Sequence, residues 1–178
     1  MTTAPAGLEL RPLIIPASAD APDAADFVEM TRVRNIVYGE ISGNRDEDLT
    51  PSELLPAYAT TPDEIRHIWA VVLDGRIVGR AGLDIPLEKG SRVAYWLVEL
   101  LRESWGRGAG SAAYALIERT AREHGRSVLQ SWAEHPEAPG ERVQPPTAAG
   151  SIPRDHAARF YERHGFVLEQ VERHSALD

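Results

Sequence analysis

Two hydrophobic rhythms alternate along the chain. Phe27, Met30, Val33 and Val37 recur at helical spacing after Asp23, which has the side chain of an N-cap, so "DAPDAADFVEMTRVRNIVYG" reads as a helix. "TPSELLPAYA" opens a second, short helix: Thr50 caps it, Pro51 fills the first turn and Glu53 completes a capping box. Thr61, Pro62 and Glu64 repeat that signal. Denser apolar runs read as strands. "LELRPLIIP" (8–16) is stopped by Pro16, and "IWAVVLDGRIVGRAGLDI" is two strands joined by an Asp74-Gly75 turn. "SRVAYWLVELL" (91–101), "SVLQSWAEH" (127–135) and "FVLEQVERHSAL" are further strands. Amphipathic helices fill 109–124 and "PRDHAARFYERHG", the first stopped by Gly125, the second opened by Pro153 and stopped by Gly165. Polar loops cover 42–49 and 136–151, and residues 1–7 form a flexible N-terminus. The resulting order, β-α-α-β-β-β-α-β-α-β, predicts one mixed α/β domain over 8–178.

Composition narrows the function more by exclusion than by assignment. The chain has 178 residues, 43% of them apolar and 26% charged, as in ordinary globular proteins. No apolar run approaches the roughly 18 residues of a membrane span, and no leader pattern is present, so neither a membrane nor a secretory route is expected. Without cysteine there are no disulfides, thiolate metal sites or cysteine nucleophile, which suits a cytoplasmic location. No Cys/His/Asp spacing suggests a metal site. The net charge of −8 and the absence of a basic stripe argue against nucleic acid, though not against a small anion.

The candidate chemistry sits where side chains are missing. "RESWGRGAGSAAYAL" places Gly106, Gly108 and Gly110 just before a helix. The first N–H groups of a helix lack intrahelical partners and carry the positive end of its dipole. Glycines let a phosphate approach them, and Arg107 adds charge. Two readings stand: an anion cradle, or a turn whose glycines serve conformation alone. The dinucleotide fingerprint is not met, because Ala113 holds the third glycine's place and no acidic residue ends a strand about 20 residues on, where 128–131 lie. The P-loop Lys-Ser/Thr is missing too. Ser111 lacks the surroundings of a nucleophile; a first-turn serine near a phosphate fits it better.

"LRESWGRGAGSAAYAL" resembles the acyl-CoA-binding motif of the GNAT superfamily of N-acyltransferases: a strand, Q/R-x-x-G-x-G/A, then a helix. Trp105 takes the Q/R position, Gly108 the glycine and Gly110 the last small residue. "AARFYERHGFVLEQ" is similar to the family's A-x-x-x-Y-x-x-x-G-F segment, with Ala157, Tyr161, Gly165 and Phe166 in register. The element order agrees over about residues 8–177. "GNRDEDLTPSELL", "DGRIVGRAGLDIPL" and "VLQSWAEHPEAPG" further resemble the N-terminal half of proteins carrying two such domains in tandem.

The resemblance implies a GNAT fold: a central, mostly antiparallel sheet of six or seven strands with about four helices. It implies acetyl-CoA as co-substrate and no metal. The acceptor would be a primary amine, of a small molecule or a peptide N-terminus, and a homodimer or a second GNAT domain would be a partner. Backbone groups around Val98 and Leu100 would bind the pantetheine arm, and Gly106, Arg107, Gly108, Gly110 and Ser111 the diphosphate. Trp105 departs from the family's Arg or Gln and cannot replace a guanidinium. In the direct attack the resemblance implies, an amine adds to the thioester carbonyl and thiolate leaves. Tyr161 would protonate that thiolate, a task suited to a phenol of pKa ~10; read alone, Tyr161 is better explained as a packed helix tyrosine beside Phe160, and only its register in the motif favours the acid. Glu99 would deprotonate the amine, with Glu134 and His135 as runners-up, while His156 and His164 read as exposed polar residues. Asp46, Glu47 and Asp48 would favour a cationic acceptor, or are simply a solvated loop. The alternative reading is an acyl-CoA-binding or structural domain without turnover that supports a catalytic partner.

Overall fold

The computed structural model describes residues 5–173. Its elements are β1 (Leu8–Pro12), α1 (Ala25–Ser42), α2 (Pro51–Leu54), β2 (Glu64–Leu73), β3 (Arg76–Pro86), β4 (Val93–Leu100), α3 (Ala109–Glu123), β5 (Val128–Gln130), β6 (Arg142–Val143), β7 (Ile152–Pro153) and α4 (His156–Arg163). Short 3-10 turns follow α2 at Leu55–Tyr58 and β4 at Arg102–Ser104. The fold is mixed α/β with four α-helices. The chain divides into two compact units, one running to Trp132 and the other starting at Ala133.

The first unit holds a five-stranded sheet in the order β1-β2-β3-β4-β5. The first four strands are antiparallel and β5 joins β4 in parallel. Asp74 (φ 52°) and Gly75 (φ 79°) both take left-handed backbone, which makes the β2–β3 link the type I′ turn that the Asp-Gly pair predicts. Successive side chains of a strand point to opposite faces. On β4, Glu99 bonds to Tyr38 of α1, whereas Trp96 packs against Tyr114 of α3 with ring centroids 5.0 Å apart. These two residues differ in parity, so α1 and α3 cover opposite faces. Phe27, Met30 and Val33 under α1, and Leu83, Ile85 and Ile117 on the other side, are wholly buried.

The second unit contains the β6–β7 hairpin and α4. Asp155 caps α4 by accepting from the Ala158 N–H at 2.9 Å. Gly165 (φ 81°) turns the chain at the helix end, and the Phe166 N–H then reaches the Tyr161 carbonyl at 3.0 Å.

Several sequence expectations need correction. Strand β1 stops at Pro12, which has no N–H to continue the ladder, rather than at Pro16. Ala24, not Asp23, is the N-cap of α1. The Thr61-Pro62-Glu64 signal opens no helix: the β-branched run behind it pairs with β3 from Glu64 onward. Strand β5 is three residues long, not nine. Pro153 lies in β7 instead of opening α4. Residues 166–173 adopt no strand, so the main sheet has five strands among the described residues, not six or seven. The rest of the expected last strand, and the start of the N-terminal segment, lie outside the described residues.

Candidate active site

The site grows from the way β4 loses its neighbour. Its pairing with β3 runs from Tyr95 to Leu100, but β5 covers only Val93 to Tyr95. The Leu101 N–H donates to the Val78 carbonyl at 2.9 Å. By alternation the backbone groups of Leu97 and Glu99 also face β3, and those of Val98 and Leu100 face the side that β5 has left. Val98 and Leu100 are the residues whose backbone the resemblance assigns to the pantetheine arm. One group there is already taken: the Trp105 indole N–H donates to the Leu100 carbonyl at 3.0 Å. Trp105 is also overlain by the Arg102 guanidinium, 5.5 Å from its ring centroid.

Beyond Trp105 the glycines form the turn into α3. Gly106 (φ 73°) and Gly108 (φ 83°) are left-handed, a conformation costly for any residue with a Cβ. Gly108 is the N-cap of α3, and its carbonyl accepts from the Ala112 N–H at 3.1 Å. No side chain caps the helix. The first-turn amides of Ala109, Gly110 and Ser111 have no carbonyl four residues back within the helix. A Cβ on Gly106 would meet nothing within 4 Å. At Gly108 the space is narrower, with Pro5 3.3 Å from the place of a Cβ; the open space beside Gly106 and the uncapped helical amides fit an anionic group such as the CoA diphosphate. Gly110, by contrast, sits inside α3 with helical backbone. Arg107 points to Asp74, Nη2 to Oδ2 2.8 Å, on the surface of the molecule.

On the α1 face lies a polar network. Arg80 of β3 and Glu99 of β4 are cross-strand partners. Arg80 donates to both Glu99 oxygens, Nε to Oε2 at 2.6 Å and Nη2 to Oε1 at 3.1 Å. It also donates to the Tyr58 hydroxyl. The Tyr38 hydroxyl donates to Glu99 Oε1 at 3.1 Å. The Arg80 side chain is 8% exposed and that of Glu99 17%. Burial, the largest single influence, would make Arg80 easier to deprotonate; the charge and hydrogen bonds of Glu99, together with Tyr58 and Tyr38, outweigh it and raise the Arg80 pKa. Burial, then the Glu99 charge, raises the Tyr38 pKa, so its phenol stays protonated and donating at neutral pH. Arg34 stacks on the Tyr38 ring at 3.7 Å. Sequence reasoning singled out Glu99 but missed Arg80, Tyr38 and Tyr58. The available signal was Arg80 itself, a charge in the middle of a largely apolar hairpin strand.

The 42–48 loop is less acidic in effect than in composition. Arg45 Nη2 lies 2.5 Å from Asp48 Oδ2, leaving Asp46 and Glu47 as its unbalanced carboxylates.

In the second unit, Tyr161 lies on α4 with its ring edge-on to Phe166 at 5.6 Å and to Phe160 at 6.2 Å. His135 Nδ1 is 3.0 Å from Asp155 Oδ2, the same carboxylate that caps α4. His156 and His164 are half-buried rather than exposed. Burial, with help from Arg163 and Arg159, lowers the His156 pKa. The His164 ring lies tilted against Phe160, with centroids 4.6 Å apart. Among the described residues, no group of three or more His, Asp or Glu is placed to hold a metal ion, and no helix is long and apolar enough to cross a membrane.

A model of the acetyltransferase (GNAT) family matches residues 31–142. A search of curated protein sequences gives no significant match. Among solved structures, the chain is similar to a tandem GNAT protein from the clavulanic acid biosynthesis pathway, at 22% identity and a TM-score of 0.60 over 89% of this chain. It spans 43% of that protein's length. An aminoglycoside acetyltransferase from an uncultured soil metagenomic sample, solved with sisomicin, aligns over 97% of this chain and 96% of its own at 15% identity, TM-score 0.61. An acetyltransferase from Trypanosoma brucei aligns over 96% and 99% at 20% identity, TM-score 0.54. At such identities the likeness is one of fold.

Proposed function

The chain belongs to the acetyltransferase (GNAT) family, whose members transfer acyl groups from acyl-CoA to an acceptor, and from that membership we propose an acetyl-CoA-dependent N-acetyltransferase. The acceptor is a primary amine, of a small molecule or a peptide N-terminus, and it attacks the thioester directly. We take residues 8–178 as one such domain, working in the cytoplasm, with a second copy or a second GNAT domain as its partner.

One observation carries this reading: the left-handed Gly106/Gly108 turn into the uncapped start of α3 follows directly on a strand edge that β5 leaves uncovered. On it, the turn from Gly106 to Ser111 receives the diphosphate through its amides, with Gly110 keeping the second helical position small. Arg107 adds charge, and the Val98 groups and the Leu100 N–H hold the pantetheine arm. Glu99 is the base. It accepts three hydrogen bonds, and a carboxylate offers about four lone-pair sites, so one remains for the amine or a bridging water. Tyr161 is the acid that returns a proton to the departing thiolate, an assignment supported by its register in the family motif.

The Trp105 bond to the Leu100 carbonyl favours a second reading, because it occupies a group that a CoA-binding strand would offer. In that reading the domain binds acyl-CoA, or only keeps the fold, and supports a catalytic partner. Thiol release from acetyl-CoA against a panel of amines, run beside calorimetry of CoA binding, separates the two. Turnover with at least one amine, lowered by Tyr161→Phe while CoA affinity holds, is the expected result. Binding without turnover on any amine selects the second reading.

A further inference from the structure

Arg107, the one cation within the glycine turn, is not free to wait for a phosphate, since its guanidinium is held by Asp74 at 2.8 Å. We propose that Asp74 is a latch on the diphosphate position: it occupies Arg107 until CoA arrives, and so sets both the affinity of the site and its rejection of small anions. The proposal rests on the reading that the CoA diphosphate occupies the Gly106–Ser111 turn.

Asp74 is not needed as an aspartate by its own turn. The β2–β3 link is type I′, and Asn-Gly serves that turn as well as Asp-Gly does. Its charge therefore has to be explained by what the carboxylate meets. One oxygen meets Arg107; the other lies against Gly7, where a Cβ would come within 2.3 Å of Oδ1. The Asp74 N–H donates to the Gly7 carbonyl at 3.0 Å, which pins the N-terminal segment to the hairpin. Two residues earlier, Pro5 lies against the N-cap of α3, 3.3 Å from the place of a Gly108 Cβ. Arg107, bonded to Asp74 and next in the chain to Gly108, likewise places the carboxylate near the start of α3. A fixed anion thus stands beside a site built for an anion.

The consequence is selectivity by competition. The Arg107 and Asp74 side chains are 50% and 62% exposed, and an ion pair so exposed is weak and exchangeable. A monophosphate or sulfate offers Arg107 little more than Asp74 already does, and it makes no contact with β4. A diphosphate presents more oxygens for a bidentate guanidinium, and the rest of CoA anchors along the strand. Asp74 therefore lowers binding of every anion, but it excludes only those without the rest of the ligand.

Calorimetry of CoA on the parent protein, Asp74→Asn, Arg107→Ala and the double variant tests this. Asn keeps the turn, which an undiminished melting temperature verifies. At low ionic strength Asp74→Asn should tighten CoA about threefold, the scale of one exposed ion pair, and the gain should fade in high salt. Inorganic phosphate should compete with CoA measurably better on Asp74→Asn than on the parent. In the Arg107→Ala background the Asp74 substitution should bring a distinctly smaller gain, only that of removing the carboxylate's own repulsion of the ligand. An equal gain with and without Arg107, or no gain, overturns the latch while leaving the CoA site standing. No CoA binding by the parent protein instead fails the site reading on which the latch depends.

Discussion

Glu99 and Arg80 show how one residue carries both a structural and a chemical assignment. The pair is largely withdrawn from water and doubly bonded. Breaking a buried pair by neutralising one partner leaves the other charge uncompensated and costs about 3 kcal/mol. In a domain of this size that is roughly 6–12 °C in melting temperature. Glu99→Gln should show that loss, and Arg80→Met a similar one. The two substitutions separate in kinetics. If Glu99 is the base, Glu99→Gln also lowers kcat by a factor of about 100 or more, measured well below its melting point, with CoA affinity unchanged. Stability loss with unchanged kcat would make the carboxylate a structural partner of Arg80 alone. Glu99 stood out in the sequence because it is an acid ending an apolar strand. Its network did not, because Tyr38 and Arg80 meet it, and Tyr58 meets Arg80, through the packing of α1, the turn after α2 and the strand register, none of which a local pattern encodes.

Some elements with a local signal were legible, although the equally local Thr61-Pro62-Glu64 signal opens no helix. The Thr50–Glu53 capping box forms as expected, the Glu53 side chain accepting from the Thr50 N–H at 2.8 Å. Gly125 and Gly165 end their helices in left-handed backbone. Where an element's length depends on its neighbour, the sequence misleads: the apolar run at 127–135 predicts a long strand, yet β5 lasts only while β4 lies beside it. The glycine turn combines both cases, since its sequence marks the turn but not which glycine is indispensable. Backbone geometry separates them. Gly108→Ala places a Cβ in left-handed backbone, at a cost of about 1–2 kcal/mol, and against Pro5. It should lower both stability and CoA affinity. Gly110→Ala replaces a glycine within a helix and should add about 0.5–1 kcal/mol, with CoA affinity retained because the motif admits alanine there. Thermal melts and calorimetry on the two variants check the contrast; equal behaviour would mean that left-handed backbone at Gly108 is not what the turn requires.

For the molecule as a whole, the order of elements pointed to the fold, while the acceptor left no comparable mark. Binding the carrier uses backbone, so glycines and a strand edge announce it. In the reading proposed above, the acceptor enters over the first two helices and the 42–48 loop and is chosen by side chains, and a single residue there such as Asp48 is balanced by a neighbour, Arg45. The proposed CoA contacts all lie in the unit that ends at Trp132, and Tyr161 lies in the unit that follows. Ligand binding must therefore stabilise the first unit directly. At about 100 times its Kd, CoA should add about 2.7 kcal/mol, which corresponds to roughly 5–11 °C for a chain of this length. Scanning calorimetry measures the size of the effect, and hydrogen exchange its location. The Val98 and Leu100 amides and those of 106–111 should slow on binding. Amides of the β2–β3 ladder, already paired along its length, should change least. A shift in melting temperature with protection confined to the second unit would place the ligand away from the glycine turn, whereas no shift at all would remove CoA from the account of this domain.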